Sequence, residues 1–160
     1  MDRMDTTDDM DTTGYARSLL MAVTVHRTAG LEVLRSADGR GEVAVPGPGP
    51  LANVIDSMHS SGLITLIDAA GLAAILSVAR TPAETEGVLA LGRSASLEFL
   101  APARGRLTAV TELGPVERAA VRSVLSGTGP RTRLTTSADI TDAEGKVVCR
   151  GSFTWSLRRS

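Results

Sequence analysis

The stretch that decides the fold reads Asn53-Val-Ile-Asp-Ser-Met-His59-Ser60-Ser61-Gly-Leu-Ile-Thr-Leu-Ile-Asp68-Ala-Ala-Gly-Leu-Ala-Ala-Ile-Leu76. Residues 63–79 are apolar on nearly every side of a helix, and Asp68 is the one carboxylate among them. A helix that is apolar all round is normally enclosed by the rest of its domain. An ionised carboxylate in such a place is costly unless it has a partner or a chemical task. We therefore expect a long central helix, wrapped by the remaining chain, that carries Asp68.

The bulk composition is that of a globular protein and gives no sign of several classes of partner. The chain has 160 residues, of which 42% are hydrophobic, which is enough for one domain with a core. The net charge of −1 and the 2% of aromatic residues do not indicate a nucleic-acid partner. No signal peptide is recognisable, and the central apolar run carries Asp68 and ends at Arg80, so no membrane span is predicted. We expect a cytoplasmic protein without a cofactor or a metal site.

The remaining chain divides into a leader and one domain. Residues 1–13 contain five aspartates and four threonines, which predicts a disordered leader before a single domain over 14–160. A first helix is predicted over residues 15–28 and should end at Gly30. The central helix should begin at Ser60 or Ser61, whose hydroxyls would cap its first amides, and end by Thr81-Pro82. Alternating apolar residues predict strands at 31–36, 42–46, 89–101, 106–113, 131–140 and 147–157, with a short helix at 117–125.

The order of these elements predicts the fold class. A helix and two strands precede the long buried helix, and four strands with a small helical insertion follow it. A parallel sheet would require strands that alternate with helices along the chain, and that alternation is missing. The sequence therefore predicts an α+β fold with an antiparallel sheet.

Three motifs occur in the order that one known family shows. Asn53, His59 and Asp68 are spaced as in the pattern Asn–x5–His-Gly-Gly–x6–Asp. Residues 96–105, Ser-Leu-Glu-Phe-Leu-Ala-Pro-Ala-Arg-Gly, resemble a strand that ends in (Tyr/Phe)-Leu-x-Pro-Ala-x-x-Gly. Residues 142–155 resemble a final hairpin of the form Asp-x-x-Gly-x-Val-Val-Ala-x-Gly. Together they resemble the hotdog-fold acyl-CoA thioesterases, and most closely the phenylacetyl-CoA-thioesterase-like branch.

The resemblance implies a fold, an activity and a set of site residues. The fold would be a hotdog, an antiparallel sheet around a long central helix, assembled as a dimer or a dimer of dimers. The activity would be hydrolysis of an acyl-CoA or acyl-carrier thioester, with Asp68 as base or nucleophile and a backbone N–H at Ser60 as oxyanion donor. Asn53 would hold the water or the thioester, and His59 would be a positioning residue. The implied substrate-binding residues are Ser61, Thr65, Gly92 and Ser94.

The sequence also departs from the family pattern and leaves alternatives open. The family's His-Gly-Gly is His59-Ser60-Ser61 here, and Gly92 stands where the family often has Ser or Thr, with Ser94 two residues further on. Taken alone, Asp68 could bond to a core amide or serine, and Asn53 could be a turn residue. A non-catalytic acyl-thioester-binding protein and a hotdog dehydratase or hydratase are the alternative functions. The nine-residue spacing from His59 to Asp68 favours the thioesterase.

Overall fold

In the computed structural model, which describes residues 10–160, a six-stranded sheet surrounds one long helix. The helices are α1 (Thr12–Leu20), α2 (Thr24–Ala29), α3 (Ser60–Leu76) and α4 (Pro115–Leu125). The strands are β1 (Glu32–Ala37), β2 (Arg40–Val45), β3 (Val88–Phe99), β4 (Leu107–Glu112), β5 (Arg131–Thr141) and β6 (Val147–Arg159). Their spatial order is β1-β2-β4-β5-β6-β3, and every neighbouring pair is antiparallel. The prediction of an antiparallel α+β fold is confirmed.

The N-terminal part of the domain differs from the expectation in two ways. Most of the leader predicted for residues 1–13 lies outside the described residues, but Thr12 and Thr13 already belong to α1, because the Asp11 carboxylate caps the Gly14 amide (2.9 Å). The single helix expected over residues 15–28 is in fact two helices. The helix is interrupted at residues 21–23, where Val23 has an extended backbone, because α1 packs on β1 while α2 packs beside residues 49–51. Gly30 ends α2 in a left-handed conformation, as predicted.

Helix α3 is buried against the sheet along most of its surface and contacts all six strands. Close approach requires Gly71, where an added Cβ would lie 2.6 Å from the Thr136 hydroxyl oxygen. The Trp155 indole N–H donates to that same oxygen (2.9 Å), so both neighbours of Gly71 are held in place. The sheet leaves one stripe of α3 only partly covered, at Ile64, Asp68, Leu72 and Leu76. Asp68 therefore lies on the open side of an otherwise buried helix.

Strand β3 forms one edge of the sheet, since it pairs with β6 on one side and with no strand on the other among residues 10–160. It is twelve residues long and exposed along most of its length, with Leu89 43% and Leu91 47% accessible. Proteins usually shorten, charge or cover such edges, because an open edge pairs readily with another strand. None of the helices in the described part of the chain is long and apolar enough to cross a membrane.

Candidate functional site

The loop before α3 is built around the side chain of Asn53. Its Oδ1 accepts hydrogen bonds from the backbone amides of Ile55 (3.1 Å) and Ser57 (3.0 Å). The segment that follows β3 supports this loop from outside, since the Met58 amide donates to the Ala103 carbonyl (2.8 Å). Within residues 10–160 the Asn53 Nδ2 amide has no hydrogen-bond partner. The side chain can therefore stabilise the loop through its oxygen and still offer its N–H groups outward.

Helix α3 begins at Ser60, as predicted, but its cap is not a serine hydroxyl. His59 is the N-cap, and its Nδ1 accepts the Ser61 amide (3.0 Å) while the Ser61 hydroxyl lies 2.8 Å from the same nitrogen. The prediction that Ser60 or Ser61 caps the helix is wrong, because the His59 imidazole, and not a serine hydroxyl, accepts the hydrogen bond from the Ser61 amide. The Ser60 amide has no acceptor in the described structure, as expected of a first helical N–H. It remains the amide at this helix start that can bind an oxyanion.

Asp68 lies about two turns further along α3. Its Oδ1 is enclosed and has no hydrogen-bond partner among the described residues, although the residue as a whole is only half-buried. Burial raises the pKa of the Asp68 carboxyl above its usual value, and the electrostatic interaction with the nearby His26 opposes that rise. A carboxylate that has lost its water and gained no donor takes up a proton more readily. The alternative that Asp68 bonds to a core amide or serine is not supported, because no such hydrogen bond is present among the described residues.

His26 is a residue of the site that sequence reasoning missed. It is 3% accessible, and its Nδ1–H donates to the Leu20 carbonyl oxygen (2.7 Å). This bond holds the imidazole in α2 beside α3, where it interacts electrostatically with Asp68 without a direct hydrogen bond. The sequence offered only a weak signal, a histidine next to the apolar residues of a short helix. The neighbour on α3 was not visible, because Asp68 comes 42 residues later in the chain.

The residues expected to bind substrate differ in their burial and in their contacts. Thr65 is largely buried and its hydroxyl donates to the Ser61 carbonyl one turn earlier (2.8 Å), so that proton is already engaged. Gly92 lies under the ring of Phe153, and an added Cβ would come within 2.3 Å of the ring. A Ser or Thr at this position, as in the family pattern, would require the ring to move. Ser94 is exposed on β3, just after an irregularity in the pairing with β6.

The chain brings these residues together in two groups. Asn53, His59 and Ser60 belong to the loop before α3 and to its first residue, whereas Asp68 lies further along α3, within electrostatic range of His26. The eight residues from Ser60 to Asp68 correspond to roughly 12 Å along the helix axis. No group of three or more His, Cys, Asp or Glu side chains in residues 10–160 is arranged to hold a metal ion.

Comparison with known proteins identifies the family. The DUF4442 domain, a domain of unknown function, matches residues 14–157. The chain belongs to the DUF4442 family. No curated protein matches this DUF4442 chain.

Solved structures show the fold of this DUF4442 chain. A Pseudomonas aeruginosa protein of unknown function, described as a probable thioesterase, is 23% identical, covers 92% of this chain and 96% of its own, and superposes with a TM-score of 0.75. A Haemophilus influenzae thioesterase is 19% identical, with 88% and 87% of the two chains covered and a TM-score of 0.65. The Escherichia coli PaaI protein of the phenylacetic acid degradation operon is 18% identical, with 92% and 95% covered and a TM-score of 0.61. The DUF4442 chain therefore has the hotdog fold that these solved structures share, as its motifs predicted.

Proposed function

We propose that this protein hydrolyses acyl-CoA or acyl-carrier thioesters to a carboxylic acid and a free thiol. The observation that carries the proposal is the Asp68 carboxylate, which lies on the open stripe of α3 with an enclosed, unpartnered Oδ1 and a raised pKa. Perturbed carboxylates of this kind concentrate at functional sites. The reaction class, thioester hydrolysis, is taken by analogy from the thioesterases of similar fold.

In the proposed reaction Asp68 is the general base. It removes a proton from a water molecule while the water oxygen attacks the thioester carbonyl carbon. The carbonyl oxygen becomes negative and binds the free amide of Ser60, where the N-terminal dipole of α3 adds to the stabilisation. The C–S bond then breaks, and the thiolate leaves and takes up a proton. Asn53 holds the thioester or the water through its free Nδ2 amide.

We also propose that two subunits share each site. One small thioester carbonyl cannot contact both Ser60 and Asp68 of one chain across roughly 12 Å. The unpaired edge of β3 supports two-fold pairing with β3 of a second copy. That arrangement would set the two α3 helices side by side and antiparallel, so that Asp68 of one approaches Asn53 and Ser60 of the other.

The activity is tested by measuring free thiol release from a panel of acyl-CoAs with the purified protein. We expect release with at least one member of the panel, and release at least about 10²-fold slower when Asp68 is replaced by Asn. Binding of acyl-CoA without release would instead favour the non-catalytic acyl-thioester-binding protein. Hydration or dehydration of an enoyl- or hydroxyacyl-CoA, with no thiol release, would favour the dehydratase alternative.

A substitution at Ser60 tests the oxyanion donor. Ser60→Pro removes the amide hydrogen and should lower kcat by about 10²-fold, the scale of one lost oxyanion donor. The fold should accept this change, because proline suits the first helical position and His59, with ψ at 150°, has the backbone that precedes a proline. Ser60→Gly is the matched control and should keep kcat within a few-fold. A large loss of kcat in Ser60→Gly would show instead that the Ser60 hydroxyl, and not its amide, stabilises the oxyanion.

A substitution at His26 tests its electrostatic effect on Asp68. The electrostatic interaction with His26 lowers the pKa of the Asp68 carboxyl, so His26→Asn should let that pKa rise and move the acid limb of the kcat/KM profile to higher pH. Asparagine can still donate to the Leu20 carbonyl, which keeps the local bond. A purely structural role for His26 predicts lower activity at every pH with the position of the acid limb unchanged.

A further inference from the structure

An apolar cavity of about 190 Å³ lies between the N-terminal helices, the C-terminal half of α3 and the start of β3. Ten of its eleven lining residues are apolar, and the other is Thr85. The Thr85 hydroxyl is already bonded to the hydroxyl of Tyr15 and to the Pro82 carbonyl. The cavity therefore suits an apolar occupant.

The cavity is continuous with the stripe of α3 that carries Asp68. Leu72 and Leu76 belong to that stripe and also line the cavity. Leu72 follows Asp68 by one helical turn, roughly 6 Å along the axis. An apolar chain attached to a carbonyl at Asp68 can thus enter the cavity along a surface of leucine side chains.

The mouth of the cavity carries apolar side chains that remain partly in water. Leu19 is 40% accessible and Val23 is 43% accessible, and both line the cavity. An apolar occupant would cover these side chains, whereas a polar one would lose its own hydration without gaining a hydrogen bond. Both residues belong to the segment that contains α1 and α2, so this segment forms the outer wall of the cavity.

We propose that this cavity holds the apolar tail of the acyl group and that Val23 and Leu19 limit its length. The inference rests on the proposed thioester site at Asp68. A dry cavity of about 150 Å³ accommodates a benzene ring, so about 190 Å³ corresponds to a tail of roughly six to eight carbons. The inferred substrate class is therefore the thioester of an acyl group with an apolar tail of about this size.

The test compares kcat/KM for butanoyl- to dodecanoyl-CoA. In the wild type we expect kcat/KM to rise about three- to fourfold for each added methylene and to level off once the cavity is full. Val23→Phe adds side-chain volume to a cavity of fixed size and should move the optimum to shorter chains by about two to four carbons.

Val25→Phe is the matched control. Val25 is 42% accessible and lies two residues after Val23, but it does not line the cavity. This variant should keep the chain-length profile of the wild type. Leu19→Ala is a second probe, in case Val23→Phe does not fold, and should reduce the preference for the longer chains that reach the mouth.

Binding of the thioether S-octyl-CoA separates this inference from the proposed hydrolysis. If no acyl-CoA is hydrolysed but Val23→Phe, unlike Val25→Phe, weakens S-octyl-CoA binding, the cavity assignment stands and hydrolysis is wrong. If thioesters are hydrolysed with a profile that neither Val23→Phe nor Leu19→Ala changes, the cavity assignment is wrong and hydrolysis stands. An unchanged profile together with loss of the dimer in Val23→Phe would mean that a second copy of the chain fills the cavity, which also overturns the assignment.

Discussion

Asp68→Asn should lower kcat by about 10²- to 10⁴-fold, the range expected when a general base is lost. Asparagine has nearly the same shape as aspartate but cannot accept the proton from water. Binding of S-octyl-CoA should stay within a few-fold of the wild type, since the change leaves the apolar stripe intact. Thiol release at saturating acyl-CoA gives kcat directly.

The matched control is Asp38→Asn, which makes the same chemical change in the β1–β2 turn. The Asp38 side chain is 85% exposed, and its positive φ of 53° is one that asparagine tolerates. It should leave kcat unchanged. If Asp68→Asn hydrolyses the best substrate at the wild-type rate, Asp68 is not the base.

Thermal unfolding shows whether the loss of activity in Asp68→Asn comes from a damaged fold. The folded-state pKa of Asp68 is raised, so its carboxylate opposes folding at neutral pH, and the neutral amide should melt at the same or a higher temperature. This difference should shrink as the pH falls through the raised pKa towards the usual value for aspartate, because the wild-type carboxyl then becomes neutral as well. A lower melting temperature for Asp68→Asn at neutral pH would contradict this account of the site.

Two inactive variants should restore activity to each other when they form mixed dimers. The variants are Asp68→Ala and Asn53→Asp, and each should lose at least about 10²-fold alone. After joint unfolding and refolding in equal amounts, half of the dimers should be mixed, with one intact and one doubly altered site. Activity should therefore return to about a quarter of the wild type. Thiol release before and after refolding measures the gain.

The choice of Asn53→Asp follows from the loop geometry. Aspartate keeps the oxygen that accepts the amides of Ile55 and Ser57, and it replaces the Nδ2 donor proposed to face the substrate with a second carboxylate oxygen. The loop should therefore survive the change, which Asn53→Ala does not ensure. If mixed dimers form but stay inactive, or if light scattering finds an active monomer, the shared site is wrong.

The class of the fold and its central helix could be predicted from local patterns. Period-two apolar alternation marks strands, and a run that is apolar on all sides marks an enclosed helix, so neither depends on distant contacts. The start of α3 at Ser60 followed from the polar residues before the apolar run. The identity of its cap did not follow, because a histidine and two serines compete for the same amides and only their positions decide which one binds.

The break between α1 and α2 was missed because helix periodicity continues through it. Leu19, Leu20 and Val23 fit one apolar face whether or not the helix is continuous. In the folded chain both short helices pack on α3, but α1 also packs on β1, whereas α2 also lies against residues 49–51. Such contacts between distant parts of the chain override a weak local preference.

By itself the sequence determined three features: the sheet-and-helix architecture, the family resemblance and the single carboxylate in an apolar helix. Each of them depends only on the order and spacing of residues along the chain. Only the tertiary structure decided what surrounds that carboxylate. It leaves Asp68 on the open stripe of α3 and brings His26, from 42 residues earlier in the chain, near to it. Solvation and electrostatic interactions depend on neighbours in space, and His26 is distant from Asp68 in sequence. The roles of Asn53, Ser60 and Asp68 therefore stay predictions that the variants above can test.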